Sequence, residues 1–476
     1  MRLLGFDLGA ESGRAALGTL DDQSLRIEEI HRFANEPLRE NGHLCWNLPA
    51  LWENVRLGLA RAGAVDGVGI DTWGVDYGLI TRDGEVIGKP FHYRDARNEG
   101  VMQQVLARVG RDRLYELTGV QFLQFNTLFQ LVAQQRDDPG SLARAHQLLF
   151  MPDLLRFMLC GARHTEPTIA STSQMYDPRR HAWADELLDE LGLPARLLPT
   201  IEQTGSISRS NAIDGSPVIT TTGHDTAAAV VAVPADDEGN WCYISSGTWS
   251  LMGVELDEPI INANSLRCNF TNEVGFGPTI RFLRNIMGLW LVQECRRDLA
   301  SRGSDRTYAE LTELAARATC DAMIDPDHPP FLAPGDMCAK IERFCRATNQ
   351  PPPREEGQIV RCCLESLALT YRRTLEQAEE LTGKRVDTIH VVGGGSRNEL
   401  LNQMTADACG RAVVAGPAEA AAIGNLLVQA ISLGAVDSRA RARRIVRTSF
   451  DLTRFEPRDA GAWENKYARF RALIGW

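Results

Sequence analysis

Apolar and polar positions change period along the chain, and each period marks an element. Residues 2–8 form a nearly continuous apolar run that predicts a buried strand. Residues 13–19 predict a second strand, and SLRIEEIHRF at 24–33 alternates as a third. The spacing of Leu51, Val55, Leu59 and Ala62 predicts a helix over 51–62, after which 67–71 return as a short strand ending in an acid. Asp83-Gly84 within 79–88 marks a hairpin, and 99–205 read mainly as helices and polar connections broken by prolines. At 241–257 the opening layout recurs as strand, small-residue turn and strand. Residues 360–383 predict a long helix stopped by Gly383, and 387–410 predict a strand, a glycine turn and a helix stopped by Gly410. RAVVAGP and EAAAIGNLLVQAISLGA add a further strand-helix step to the second half.

Two α/β halves that each begin with strand, turn and strand are the conspicuous organisation. A length of 476 residues also exceeds one ordinary core. The apolar pattern breaks at ADDEGN, between Pro234 and Asn240, so the expected domains are 1–236 and 237–476 with a cleft between them.

Charge narrows the range of partners. With 51 Lys and Arg against 62 Asp and Glu, a net charge of −11 and no dense basic run, a nucleic-acid or anionic-membrane partner is disfavoured. The apolar start is interrupted at Asp7, too early for a signal peptide, and no apolar run reaches the length of a membrane span; the expectation is a cytoplasmic protein. Eleven cysteines without a CxxC pair predict reduced, largely buried thiols, the adjacent Cys362 and Cys363 among them.

Chemistry enters with FDLGAESGR, Phe6 to Arg14. An aspartate closing an apolar run, followed at once by Gly9 and Gly13, suits a tight turn whose backbone approaches a ligand closely. The second half has ISSGTWS in the same place. Two such turns would offer backbone N–H groups to phosphate oxygens, with Asp7 where a magnesium ion bridges phosphates. An ordinary β-turn with a capping acid is the plain alternative for either turn alone. In VVGGGSRNELL a glycine turn joins strand to helix without the GxGxxG spacing or the later ribose-binding acid, which weakens a dinucleotide-dependent oxidoreductase.

TTGHDTAAAV carries His224, Asp225 and Thr226 between a β-branched run and small apolar residues, so Asp225 is expected to start a helix at the end of a strand. Such an acid is either a simple N-cap or a base for an attacking hydroxyl. GIDTWGVDYGL brings Asp71, Trp73, Gly74 and Asp76 together, and HYRDAR adds His92, Arg94, Asp95 and Arg97. Aromatic faces beside carboxylates and arginine suit a polyhydroxylated ligand; a buried tryptophan with satisfied ion pairs is the alternative.

Together with YISSGTWSLMGVE, LRNIMGLWLVQE, VVGGGSRNELLNQMTADACG and AGPAEAAAIGN, these stretches resemble the FGGY family of carbohydrate kinases, over nearly the whole chain. The resemblance implies two actin/hexokinase-like (ribonuclease H-like) α/β domains and transfer of the ATP γ-phosphoryl group to a sugar. GIDTWGVD, SSGTWSLMG and NIMGLWL resemble the branch of the family that acts on the C1 hydroxyl of L-rhamnulose. It further implies Asp225 as catalytic base, and Gly74, His224, Thr226 and Asn285 at the substrate, to which the residue reading adds Trp73, Asp76 and Arg94. The nucleotide positions it implies are Ala10, Glu11, Ser12, Gly13, Arg14, Thr248, Gln293 and Gly394, with Mg²⁺ near Asp7. Glu11 departs from the small residue expected there, and a carboxylate so near a triphosphate must turn away or help hold the metal. A kinase for L-fuculose, D-xylulose or glycerol, and an actin-like switch ATPase, are the competing readings. The sequence does not choose between a monomer and a small homo-oligomer.

Overall fold

The meander expected at the start is present. In this computed structural model, which describes residues 1–209, 215–236 and 239–475, strand Arg2–Leu8 pairs antiparallel with Ser12–Leu20, and that strand with Leu25–Ala34. Strand Gly67–Thr72 then lies parallel to Arg2–Leu8, and Pro217–Ile219 parallel to Gly67–Thr72. With Ile207–Arg209 at the far edge this makes a six-stranded sheet. Register places Asp7 opposite Arg14 on one side and Asp71 on the other, so three charged residues stand in a row across adjacent strands.

The chain forms two compact units, and they interleave. The first comprises Met1–Pro234, Glu255–Phe282 and Glu419–Ser449; the second comprises Ala235–Val254, Leu283–Ala418 and Phe450–Trp476. A single boundary was expected between Pro234 and Asn240, where residues 237 and 238 lie outside the described residues.

Helix Ala420–Ser432, expected to continue the second half, packs in the first unit. Its small residues explain the difference. A β-carbon at Gly424 would meet the carbonyl carbon of Ala228 at 2.5 Å, with the oxygen closer still, so glycine lets this helix lie directly on the backbone of helix Asp225–Val231. From the same helix Gln429 Nε2 donates to Leu4 O at 2.9 Å, fastening it beneath the first strand. The insertion between the hairpin and residue 205 contains helices Val101–Val109, Arg111–Thr118 and Thr127–Asp137 around Leu114, Tyr115, Phe129 and Phe150, and then helix Met151–Cys160.

The second unit repeats the opening layout. Strand Trp241–Ser246 pairs antiparallel with Trp249–Leu256 and parallel with Thr388–Val392, which is followed by Ala412–Ala415 in parallel and Thr453–Phe455 in antiparallel. The long helix runs Glu356–Thr382 and ends at Gly383 with φ 68°, and helix Glu399–Cys409 ends at Gly410 with φ 59°, the left-handed stops that the glycines predict. All 11 cysteines are free thiols, and Cys362 and Cys363 are buried on the long helix. Among the described residues no helix is long and apolar enough to cross a membrane.

Candidate active site

In the first turn Gly9 N donates to Ser12 O at 2.9 Å, while Asn35 Nδ2 donates to Gly9 O at 3.0 Å and ties the turn to the third strand. Ala10 to Arg14 lead from that turn into the second strand. Asp7 is buried and its Oδ2 lies 3.2 Å from Arg14 Nε, the ion pair that the strand register dictates. Asp71 beside it is fully buried, and its Oδ2 accepts from Asn425 Nδ2 at 2.6 Å. Burial first, and then the charge of Asp7, push the Asp71 carboxyl well above the usual carboxylate range despite the Asn425 bond.

Asp225 opens helix Asp225–Val231, as expected, but the neighbouring details differ. The capping residue is His224, and the preceding strand ends at Ile219, with Thr72 N donating to Gly223 O at 2.8 Å to keep the intervening segment extended. Asp225 Oδ1 accepts from Thr226 N at 2.6 Å, with Thr226 Oγ1 at 3.4 Å and His224 Nε2 at 3.5 Å. These groups hold one carboxylate oxygen and leave Oδ2 as the atom that can take a proton. The side chain is partly exposed, unlike Asp71. Desolvation, aided by Asp7 and opposed by His224 and Thr226, brings the Asp225 carboxyl up to about 6.

His224 has neighbours that no sequence motif announces. Its Nδ1 lies 3.2 Å from Arg281 Nη2 and 3.4 Å from Glu273 Oε2, and these two form an ion pair of 3.0 Å. Burial acts to raise the Glu273 carboxyl, but Arg281 and His224 outweigh it and hold it below the usual range. Gly74 lies close on the other side, where a β-carbon would stand 3.3 Å from His224 Nε2 and 3.4 Å from Thr172, tight enough to press on both side chains.

Trp73 and Asp76 are both buried, and Asp76 faces inward. Its Oδ2 accepts from Trp46 Nε1 at 2.6 Å, Trp73 Nε1 at 3.0 Å and Tyr93 N at 3.1 Å, and its Oδ1 from Gln130 Nε2 at 2.7 Å. Asp76 therefore holds the two buried indoles in place. Burial still brings this carboxyl up to about 6 against those four bonds. Trp46 covers Trp73 with ring centres 4.0 Å apart and also stacks on His92 at 4.2 Å, and His92 stacks on Tyr93 at 4.5 Å. Desolvation drives His92 down to about 3, so it is a neutral member of this stack. Arg94 lies over the Tyr93 ring, its Nε 3.2 Å from the phenol oxygen.

In the second unit the turn Ser246-Gly247-Thr248 is closed by Gly247 N donating to Trp249 O at 2.8 Å. The Thr248 carbonyl accepts from Trp290 N at 3.1 Å, at the start of helix Trp290–Ser301, and Gln293 Nε2 on that helix reaches Thr248 Oγ1 at 3.4 Å. Gly393 has φ 82° and a β-carbon on it would meet Ser246 O at 2.9 Å, while one on Gly395 would meet Ser246 Cβ at 2.6 Å. Those two glycines serve packing. A β-carbon on Gly394 would meet nothing within 4 Å, so its backbone is open to a flat ligand group. Thr248, Gln293 and the open Gly394 are thus gathered around Ser246, whereas Asn285 sits on strand Ile280–Met287 of the same unit.

A divalent ion can be tested against these donors. Among the described residues no group of three or more His, Cys, Asp and Glu side chains is arranged to hold a metal. Magnesium accompanying a nucleotide needs only one or two carboxylates besides phosphate oxygens and water, and Asp7, a buried carboxylate in an ion pair with Arg14, meets that demand.

Comparison with known proteins adds the following. Residues 2–232 match the model of the N-terminal domain, and 242–433 that of the C-terminal domain, of the FGGY family of carbohydrate kinases. A rhamnulokinase of Bacteroides thetaiotaomicron is 43% identical over 483 residues, covering 98% of each chain. One from Pectobacterium carotovorum is 40% identical over 482 residues, covering 99% of this chain and 96% of the relative. In fold, a ligand-bound xylulose kinase from Lactobacillus acidophilus matches with a TM-score of 0.79 at 13% identity, over 100% of this chain and 98% of that one. Plasmodium falciparum glycerol kinase with ADP matches at 0.77 and 14% identity, over 100% and 97%.

Proposed function

Since the chain belongs to the FGGY family of carbohydrate kinases, we propose that it transfers the γ-phosphoryl group of ATP to the C1 hydroxyl of L-rhamnulose. The observation that carries the chemistry is Asp225: a carboxylate with one oxygen held, the other available and its acidity brought near neutrality. The choice of sugar is supported by the relatives of about 40% identity along the whole length.

Phosphoryl transfer through a loose transition state asks little prior deprotonation of the nucleophile and much of its alignment. Oδ2 of Asp225 orients the sugar hydroxyl and accepts its proton as the bond to phosphorus forms. Gly74, His224, Thr226, Asn285, Trp73 and Arg94 are assigned to the sugar, with Asp76 acting through the two indoles. Thr248, Gln293 and Gly394 are assigned to the nucleotide, as are Ala10, Glu11, Ser12, Gly13 and Arg14. Asp7 would hold Mg²⁺, which when bound neutralises charge on the phosphates. A reaction that consumes ATP fits a cytoplasmic location.

The deciding experiment is ADP release by the purified protein with Mg-ATP, alone and with L-rhamnulose, L-fuculose, D-xylulose or glycerol. Strong stimulation by L-rhamnulose is expected. Stimulation by a different sugar would keep the kinase and change its substrate, and sugar-independent hydrolysis would favour a switch ATPase. Within the same assay Thr248→Val removes the hydroxyl within reach of Gln293. It is expected to raise KM for ATP or slow transfer by about tenfold, the worth of one hydrogen bond to a charged group, and to leave the sugar KM unchanged. An unaltered ATP response would remove Thr248 from the nucleotide site.

A further inference from the structure

Two buried charges stand behind His224 and belong to neither substrate. Arg281 is fully buried, and its Nε donates to Val274 O at 3.1 Å, which fixes the plane of the guanidinium. Its Nη2 is then 3.0 Å from Glu273 Oε2 and 3.2 Å from His224 Nδ1. Nδ1 thus faces two groups, the Arg281 donor at 3.2 Å and the Glu273 Oε2 acceptor at 3.4 Å. A guanidinium offers donors and no acceptor, so the closer contact makes Nδ1 an acceptor and puts the ring proton on Nε2, 3.5 Å from Asp225 Oδ1.

We propose that Glu273 and Arg281 are positioning residues for phosphoryl transfer. Arg281, balanced by Glu273, holds His224 as the neutral Nε2–H tautomer, and the ring in turn steadies Oδ1 of Asp225 so that Oδ2 meets the sugar hydroxyl. The inference rests on Asp225 being the base. Two neighbours add to this support: His224 N donates to Thr168 Oγ1 at 3.5 Å, and Gly74 lies beside Nε2 without a side chain. The charged groups facing the imidazole are Asp225 on its own segment and Glu273 and Arg281 from the two neighbouring strands; Asp7 acts on Asp225.

A merely structural ion pair and a tautomer clamp give different results. The test is the position of the His224 ring proton, read from long-range proton–nitrogen spectra of the whole protein, with the signal among its nine histidines assigned through His224→Gln. In the wild type the proton is expected on Nε2. Glu273→Gln keeps the guanidinium donor facing Nδ1 and should leave the proton on Nε2. Arg281→Met leaves the Glu273 carboxylate, an acceptor only, facing Nδ1 and should draw the proton there. Arg281→Met should also lower kcat by about tenfold or more, with KM for ATP unchanged, and Arg281→Lys should recover part of the loss.

Should either single variant fail to fold, the neutral pair Glu273→Gln with Arg281→Met avoids a lone buried charge and should still show a mixture of tautomers. A wild-type proton on Nδ1, or a proton that stays on Nε2 in Arg281→Met, overturns the proposal. Asp225→Asn separates the two levels. Full activity there would fail the base assignment itself, whereas an inactive Asp225→Asn beside an unmoved ring proton would fail only the clamp.

Discussion

Asp225→Asn is expected to lower kcat by a factor on the order of 10³, the usual worth of a positioned general base, while KM for sugar and ATP stays near the wild-type value. The amide keeps the shape of the side chain, and its oxygen can still accept from Thr226 N at the start of the helix. What it loses is the oxygen that takes the proton. Wild-type turnover should carry an acidic limb that the variant lacks. Burial, with the charge of Asp7, brings the Asp225 carboxyl up to about 6, so the base form is intact above that pH and is lost as pH falls through it. Below the limb kcat/KM should drop about tenfold per pH unit. Steady-state rates of both proteins from pH 5 to 9 provide the check; a variant with near-normal turnover would end the assignment of Asp225 as base.

Gly424→Ala is expected to be nearly as damaging although it touches no substrate. The added methyl would press on the main chain of Ala228, with its carbonyl carbon at 2.5 Å, and backbone inside a helix has no rotamer by which to yield. One helix must move, and the one the methyl presses on begins with Asp225. Overpacking of this kind costs about 1–3 kcal/mol, enough to lower Tm by several degrees. The larger effect falls on rate, because a shift of about 1 Å in a reacting group costs on the order of 10²-fold. Thermal unfolding and kcat measured on one preparation test both parts, and a wild-type rate would show that the helices accommodate the methyl without displacing Asp225.

The sequence made the local grammar readable. Strand-turn-strand openings, the glycine stops at 383 and 410 and the HDT triplet all depend on neighbours a few residues apart, where periodicity and turn chemistry speak directly. Long-range partnerships were not readable. Glu273 and Arg281 occupy no motif, and they matter because the fold returns to His224 from some 50 residues away. Asp76 looked like a ligand-facing acid; the indole donors that occupy it come from Trp46 and Trp73, and only folding shows that they converge. The capping role passed from Asp225 to His224 for a similar reason, since the pairing of Thr72 with Gly223 sets where the helix begins. The family resemblance carried the site residues as a set, and the structure supplied their individual geometry.

The interleaving of the two units bears on how the protein is made. The strands of the first sheet are all synthesised once residue 219 is reached, yet the helix that lies beneath its first strand is Ala420–Ser432, about 200 residues later. Until then Leu4 O lacks the Gln429 donor, and the small-residue face of Asp225–Val231 lacks the helix that seats it. A chain that has reached residue 234 therefore lacks the helix that seats Asp225–Val231, so the ordering of that segment waits on synthesis past residue 432.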